Sequence, residues 1–165
     1  MAQEVIASFR DSEHDHARCV SDALDTAEQL CAERGLRLTP IRRRVLELVW
    51  SKHEPVRAYD LLEDLRSERR RAAPPTVYRA LEFLIENGLV HRIESLNAFV
   101  GCPGPRRPHV GQFLICRNCA AVAEMDDAAI ARMIARKAQS LGFQVERQTI
   151  EVTGLCPECG RAGTA

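Results

Sequence analysis

Along residues 20–88, apolar side chains recur every three or four positions, which predicts four amphipathic helices joined by short polar connections. Gly35 is expected to end the first helix, and Thr39-Pro40 to begin the second. Pro74-Pro75 begins the fourth helix, and Gly88 ends it. The apolar positions that define these helices are Val20, Leu24, Ala27, Leu30, Cys31, Ile41, Val45, Leu48, Val49, Leu61, Leu62, Leu65, Val77, Leu81 and Leu84.

After Gly88 the apolar period shortens to two residues, so residues 90–94 and 98–100 are predicted to form a hairpin. Helices followed at once by a small hairpin are typical of a winged helix-turn-helix, whose recognition helix enters the major groove of DNA. The outward positions of the fourth helix are Thr76, Tyr78, Arg79 and Glu82.

Two of these outward residues suit contacts with DNA. Arg79 can pair with a guanine edge or a phosphate, and Tyr78 can touch a thymine methyl group or a phosphate. The alternative for this helix is that Tyr78 is half-buried packing and Arg79 is an ordinary surface charge.

The second half of the chain begins after a Pro- and Gly-rich stretch at residues 101–108, which is read as a hinge. Strands are predicted at residues 113–115 and 121–125, followed by a helix that Asp126-Asp127 caps and Gly142 ends. Residues 143–152 are predicted to form one further strand with a bulge. A unit of about 55 residues has a marginal core, so a metal or a partner chain is expected to stabilise it.

Four cysteines in this half, Cys116-x-x-Cys119 and Cys156-x-x-Cys159, have the spacing of one tetrahedral zinc site. Disulfides or free thiols are the alternative. The N-terminus carries no apolar signal segment and no run is long enough to span a membrane, so we expect a cytoplasmic protein without a membrane partner. Thiols stay reduced in that compartment, which favours metal binding. Cys31 is expected to pack in the core, and no role is assigned to Cys19.

The chain has 165 residues and a formal net charge of zero, yet its charges are unevenly spread. Residues 1–35 are acidic, whereas residues 36–95 are basic and contain two arginine runs, Arg42-Arg43-Arg44 and Arg69-Arg70-Arg71. Such runs on helical segments suggest phosphate contacts. A solvated helix face is the alternative, and it is the better interpretation of an arginine run taken alone.

These patterns predict an α+β chain, in which an N-terminal winged helix-turn-helix DNA-binding domain precedes a small β-α-β zinc-stapled dimerisation domain. The expected organisation is a flexible N-terminal tail at 1–18, the winged-helix domain at 19–101, a hinge at 102–110, and the dimerisation and structural-zinc domain at 111–165. A two-fold dimer is also what such a protein needs to read a palindrome.

The order of these parts resembles the ferric-uptake-regulator family of bacterial metal-sensing repressors, from about Cys19 to Gly160. Four local motifs carry the resemblance: Arg37-Leu38-Thr39-Pro40-x-Arg42, Ala58-Tyr59-Asp60-Leu61-Leu62, Pro75-Thr76-Val77-Tyr78-Arg79-Ala80-Leu81 and Cys116-x-x-Cys119-Ala120. The string that begins at Pro74, together with the position of Cys102, is most similar to the zinc-uptake-regulator branch.

That branch implies a regulatory zinc site made by His91, Cys102, His109 and Glu124, in addition to the structural zinc, so two Zn²⁺ per chain are expected. A thiolate with imidazoles suits tetrahedral zinc, whereas an all-oxygen and nitrogen set would suit iron or manganese better. Taken singly, each of these four residues is more often an ordinary surface, loop or core residue. Iron-sensing members carry a His-His-Asp-His cluster, where this chain has residues 108–111 as Pro-His-Val-Gly.

The resemblance therefore implies a zinc-responsive transcriptional repressor that binds a palindromic operator as a dimer when zinc is bound and controls zinc-uptake genes. Thr76, Tyr78 and Arg79 would be its main DNA contacts, with Arg42, Arg43 and Arg44 as further phosphate contacts. Residues His14 and His16 of the tail are weak metal candidates, and His53 is expected to be structural or exposed.

Three alternatives remain open at the level of sequence. One is an iron- or manganese-responsive regulator of the same family, and another is a zinc-ribbon nucleic-acid-binding module that senses nothing. The third is an enzyme, and we expect none. A zinc deaminase needs a His-x-Glu motif that this chain lacks, and a site of four thiolates leaves no open position for water.

Overall fold

The computed structural model describes residues 4–9, 15–52, 54–68, 73–107 and 109–162. In chain order the elements are β1 (Glu4–Ala7), α1 (His16–Glu33), α2 (Pro40–Ser51), α3 (Ala58–Glu68), α4 (Pro74–Glu86), β2 (Val90–Ile93), β3 (Ala98–Gly101), β4 (Gly111–Cys116), β5 (Val122–Asp126), α5 (Ala128–Ser140), β6 (Thr149–Gly154) and α6 (Pro157–Ala162). They divide into a helical unit, Asp11–Arg107, and a sheet unit, Met1–Arg10 with Pro108–Ala165.

The helical unit is built around one apolar core to which all four helices and the hairpin contribute. Gly35 and Gly88 follow α1 and α4 with φ of +65° and +70°, so both end their helices in the left-handed conformation that glycine tolerates best. Pro40 and Pro74 begin α2 and α4, as the sequence predicts. Thr39 occupies the N-cap position of α2, although its side chain makes no capping hydrogen bond.

The hairpin of the helical unit forms the wing. β2 and β3 are antiparallel, with Val90 opposite Gly101 and His91 opposite Val100. Val56 joins the sheet through paired hydrogen bonds with Phe99, of 2.9 and 2.8 Å. Four helices and this wing match the predicted winged-helix arrangement, with α4 as the recognition helix.

The sheet unit contains a four-stranded sheet in the order β1-β5-β4-β6. β4 pairs antiparallel with β5 and parallel with β6, and α5 lies between β5 and β6 in the chain. Asp127 caps α5 by accepting from the amides of Ala129 and Ile130, as the sequence predicts. None of the residues described in α5 is buried within this chain.

Two predictions about secondary structure are wrong. Residues 143–148 are not a strand: only residues 149–154 pair, because β4 begins opposite Thr149 at Gly111 and offers no partner further back. The segment 1–18 is not a simple tail either. Its residues 4–7 pair with the edge of β5, and α1 already begins at His16.

No helix in the described ranges is both long and apolar enough to cross a membrane.

Candidate metal centres and DNA-binding surface

The first candidate metal centre, which we call the four-cysteine site, lies at one end of the sheet unit. Cys116 is the last residue of β4, and the turn that follows it brings Cys119 back beside it. Cys156 follows β6, and Cys159 lies on α6. Because β4 and β6 are parallel neighbours, both cysteine pairs emerge at the same end of the sheet. The four sulfur atoms lie within 4.8 Å of one another.

The surroundings of the four-cysteine site favour one thiolate in particular. Hydrogen bonds from the backbone amides of Cys156 and Cys119 lower the pKa of Cys116 to about 6. For Cys119, a hydrogen bond from the Ala121 amide acts to lower the pKa, but the neighbouring Cys116 thiol and desolvation outweigh it and the pKa rises to about 12. Like charges gathered at one point produce such opposed shifts, and a cation at that point relieves the repulsion.

The donor set of the four-cysteine site fits zinc. Four sulfur ligands that converge on one point can form a closed site, which is the usual form of a structural zinc site. Asn118 donates from Nδ2 to Cys159 Sγ at 3.2 Å, so the turn between the first two cysteines also orients the fourth. None of the seven cysteines forms a disulfide in this structure, which is compatible with metal binding at these positions.

The remaining metal-ligand candidates form two pairs, one on each unit. In the sheet unit, His109 precedes β4 and Glu124 lies on β5. His109 Nε2 and Glu124 Oε1 are 2.8 Å apart, and the two side chains are 5% and 4% exposed. A buried imidazole hydrogen-bonded to a carboxylate is a pair of donor atoms that suits a divalent cation.

In the helical unit, the second pair consists of His91 on β2 and Cys102 directly after β3. A ring nitrogen of His91 and the sulfur of Cys102 lie within 4.8 Å of each other. Cys102 is 3% exposed, and its amide donates to the Leu89 carbonyl at 3.0 Å. The thiol is therefore held by the backbone of the wing rather than by a loose loop. Its sulfur beside an imidazole favours zinc over iron or manganese.

The candidate DNA-binding surface is the outward side of α4. Val77, Ala80, Leu81 and Leu84 face the core. Thr76 and Arg79 are exposed, and Tyr78 is 54% exposed. The exposure of Tyr78 and Arg79 is compatible with the predicted base and phosphate contacts.

The arginine run on α2 is engaged within the helical unit. Arg43 Nε pairs with Glu28 Oε1 at 2.7 Å, and Arg44 pairs with Glu47 at 2.7 Å and also with Glu68. Arg42 lies over the Phe83 ring, 3.6 Å from its centroid, and donates to the Arg37 carbonyl. A phosphate would have to compete with these contacts. Sequence reasoning missed the contacts with Glu28, Glu68 and Phe83 because these partners are distant in sequence.

Other residues singled out from the sequence fall in different places. Cys31 is buried in the helical core, where desolvation raises its pKa, and Cys19 is half-buried on α1. The candidates His14 and His53, the run 69–71, and the side chain of His16 lie outside what the structure describes.

One polar residue that sequence reasoning overlooked joins β4 to α5. Gln112 is fully buried, donates to the Asp127 carbonyl at 2.9 Å and accepts from the Asp127 amide at 3.3 Å. It therefore fixes the residue that caps α5. Its signal in the sequence is a lone amide inside the apolar run at 111–116.

Comparison with known proteins places these features in one family. The profile of the Ferric uptake regulator family matches residues 33–153. The Zinc uptake regulation protein of Escherichia coli (strain K12) is 42% identical over 139 residues, which cover 84% of this chain and 81% of that protein.

Two solved structures are similar over most of the chain. A zinc uptake regulator complexed with zinc and DNA aligns with a TM-score of 0.85 at 39% identity, covering 88% of this chain and 98% of that one. Holo XcZur aligns with a TM-score of 0.79 at 48% identity, covering 85% and 98%.

Proposed function

The chain belongs to the ferric uptake regulator family of transcription regulators, and on that premise we propose that it is a zinc-responsive repressor of zinc-uptake genes. It binds a palindromic operator as a dimer when zinc is bound. The observation that carries this proposal is the pairing of a thiol with an imidazole, Cys102 with His91, on the wing of the DNA-binding unit. Such a donor pair selects zinc among the metals that the family senses.

Two zinc ions per chain follow from the donor sets. The four-cysteine site, Cys116, Cys119, Cys156 and Cys159, would hold a structural ion. His91 and Cys102 of the helical unit, with His109 and Glu124 of the sheet unit, would hold the regulatory ion. A bound zinc supplies a tetrahedral link among four ligands.

Because the regulatory ligands come from both units, this site favours one arrangement of the chain over others. The shift of population is set by the difference in zinc affinity between arrangements. Within the helical unit, the Cys102 amide is bonded to Leu89, and the Leu89 amide donates to the Leu84 carbonyl in the last turn of α4, at 2.9 Å. The backbone that carries the regulatory thiol is thus continuous with the end of the recognition helix.

Dimer formation is supported by the apolar side chains that the sheet unit leaves exposed. Leu141 is 85% exposed, Phe143 is 66% exposed and Met133 is 51% exposed. An apolar surface of this kind is typical of a protein–protein interface. The exposed large apolar residues in the described part of this unit are Met133, Ile134, Leu141, Phe143, Val145, Val152 and Leu155.

On DNA, α4 of each subunit would enter a major groove of a half-site. Arg79 would pair with a guanine edge or a phosphate, while Tyr78 and Thr76 would contact thymine methyl groups or phosphates. Arg42, Arg43 and Arg44 remain secondary phosphate contacts. The protein acts where the DNA is, in the cytoplasm, and it is a regulator rather than an enzyme.

The test is operator binding against buffered free zinc, with wild type beside Cys102→Ser and Cys116→Ser. The probe is the upstream region of the protein's own gene or a selected palindrome pool. Wild type is expected to bind above a sharp zinc threshold, and Cys102→Ser to lose that response while staying folded. Cys116→Ser is expected to lose the fold of the sheet unit.

The same assay separates the alternatives. Binding that follows iron or manganese would identify a different sensor of the same family. Binding that ignores metal, with one zinc per chain, would identify a zinc-ribbon module without a sensing site.

A further inference from the structure

Trp50, in the last turn of α2, lies directly on the backbone of Gly101, the last residue of β3. A Cβ atom at Gly101 would overlap Cε2 and Nε1 of the indole and lie 2.7 Å from its Cζ2. Only glycine can occupy this position while the ring stays where it is. The next residue in the chain is Cys102, the proposed regulatory ligand.

Other neighbours also hold the backbone at Gly101 and Cys102 in place. Gly101 pairs with Val90 across the hairpin, and the Cys102 amide donates to the Leu89 carbonyl at 3.0 Å. Between α2 and this strand end, the indole of Trp50 makes the close contact with Gly101.

A cavity of about 260 Å³ adjoins this contact, and both Trp50 and Cys102 line it. Leu46 of α2 and Leu89 lie on its wall as well. Cys102 therefore borders open space, into which the strand end could relax if the indole were removed. Deleting a large side chain beside an existing void removes packing that the remaining atoms recover only in part.

We propose that Trp50 is a positioning residue for the regulatory zinc site. Its indole rests on Gly101 and so holds Cys102 Sγ at the distance from His91 that a shared zinc ion requires. This inference rests on the proposed role of Cys102 as a zinc ligand. It adds a residue from α2 that lies outside every ligand motif of the chain.

The contact also gives the site a built-in reporter, because Trp50 is the one tryptophan of the chain. Filling the regulatory site is expected to change its emission, whereas filling the four-cysteine site is not. In Cys102→Ser, the emission change is expected to disappear while Trp50 itself remains.

The test is a zinc titration of the protein with its four-cysteine site already filled, in wild type, Trp50→Ala and Trp50→Phe. Competition with a chelator of known affinity gives the dissociation constant of the second zinc. Loss of an outer-shell partner of a metal ligand typically weakens metal binding by about 10- to 100-fold. We expect Trp50→Ala to weaken the second zinc by at least about tenfold, and Trp50→Phe to lie between it and wild type.

Leu48→Ala is the matched control for a merely structural role. Leu48 is buried on the same helix, 7% exposed, and is not among the residues that line the cavity. Leu48→Ala is expected to lower thermal stability and to leave the dissociation constant of the second zinc unchanged.

A double-mutant cycle with Gly101→Ala addresses the contact itself. Gly101→Ala alone is expected to weaken the second zinc, because the new methyl group displaces the indole. Gly101→Ala in the Trp50→Ala background is expected to cost little, because the methyl group then enters vacated space. Additive effects of the two changes would overturn the proposal.

The outcomes separate this inference from the proposed function. If wild type binds a second zinc and responds to it on DNA, but Trp50→Ala and Trp50→Phe bind that zinc equally well, only the role of Trp50 is wrong. If wild type binds no second zinc, the proposed regulatory site is wrong and the inference falls with it.

Discussion

The helical unit and the sheet unit are held together by different physics. In the helical unit, buried apolar residues from all four helices and the wing form one continuous core. Among the residues of the sheet unit whose burial is described, the buried apolar ones are few: Phe113, Ile115, Cys116, Ala123 and Cys156. Two of these are cysteines of the four-cysteine site, so the donor atoms for zinc make up part of the core itself.

This contrast explains how a chain of this size can combine a stable DNA-binding unit with a response to metal. A unit with its own core keeps the DNA-reading surface folded whatever the metal concentration. A unit with a small core depends on a metal and a partner chain, as small domains generally do. The proposed regulatory ligands, two from each unit, would then allow the metal to act on the helical unit without holding it folded.

The largest effect is expected from Cys116→Ser, which removes one ligand of the proposed structural zinc. Structural zinc contributes on the order of 10–16 kcal/mol to the folding of small zinc-binding peptides. The sheet unit is therefore expected to unfold, while the helical unit stays folded. Limited proteolysis with mass spectrometry is the measurement, with cleavage expected within residues 111–162 and protection of α1–α4.

The control for this variant is Cys19→Ser. It makes the same substitution at a half-buried cysteine on α1, outside both proposed zinc sites. It is expected to leave the cleavage pattern unchanged. A Cys116→Ser protein with an intact sheet unit would show that this unit does not depend on zinc for its fold.

The next largest effect is expected from a substitution in the core of the helical unit, and it tests how much that core contributes to the unit's stability. Leu61 is fully buried on α3, and Leu61→Ala is expected to lower the free energy of unfolding by about 2–5 kcal/mol. Denaturant unfolding followed by Trp50 emission measures the helical unit alone. Leu36→Ala, at a residue 37% exposed, is the control and is expected to cost much less.

The zinc content of the Leu61→Ala protein is measured as well. Leu61→Ala is expected to leave the zinc content of the four-cysteine site unchanged, since the two units are stabilised separately. Loss of the structural zinc in Leu61→Ala would show that the units unfold as one.

How much of this contrast could be predicted from the sequence depends on whether the signal is local. The helices of the helical unit follow from apolar spacing and from Gly and Pro at their ends, which act within a few residues. The four-cysteine site follows from Cys-x-x-Cys spacing, because each pair needs only one turn to aim two thiols at one ion. The prediction that Asp126-Asp127 caps α5 is confirmed at Asp127, since a cap also acts within a few residues.

The misses come from long-range pairing. Phe143 and Val145 alternate with polar residues as a half-buried strand does, but no strand lies opposite them and both remain exposed. The pairing of residues 4–7 with β5 spans most of the chain. The contact between Trp50 and Gly101 also joins positions that are distant in sequence. Neither residue belongs to a local sequence pattern that would predict the contact.

A third prediction concerns the exposed apolar surface of the sheet unit. Phe143→Glu is expected to weaken the dimer by about 2 kcal/mol or more, because a charge replaces an aromatic side chain at an interface. Sedimentation equilibrium measures the dimer constant. Leu36→Glu introduces the same charge in the helical unit and is expected to leave that constant unchanged; equal effects of the two would place the interface elsewhere.

A smaller effect is expected on DNA affinity. Arg79→Ala is expected to weaken operator binding by about 1–3 kcal/mol without changing either unit's stability. Fluorescence anisotropy with the zinc-loaded dimer measures it at fixed salt. Arg132→Ala, on α5 of the sheet unit, is the control and is expected to bind normally. Normal binding by Arg79→Ala would contradict the placement of α4 in the groove.

The smallest effect is expected from Arg43→Ala. Its ion pair with Glu28 joins side chains that are 44% and 51% exposed. Exposed pairs of this kind contribute less than about 1 kcal/mol to stability. Thermal unfolding is expected to change little, and a large loss would mean that the core alone does not hold the helical unit.

The separate stabilisation of the two units is measured by amide hydrogen exchange, resolved by peptide, on the wild-type dimer before and after a chelator removes its zinc. We expect β4, β5 and β6 to lose protection when the four-cysteine site is emptied. We expect α2 and α4 to keep their protection in the same sample. Equal loss of protection in both units, or none in the sheet unit, would show that the two units are not stabilised separately.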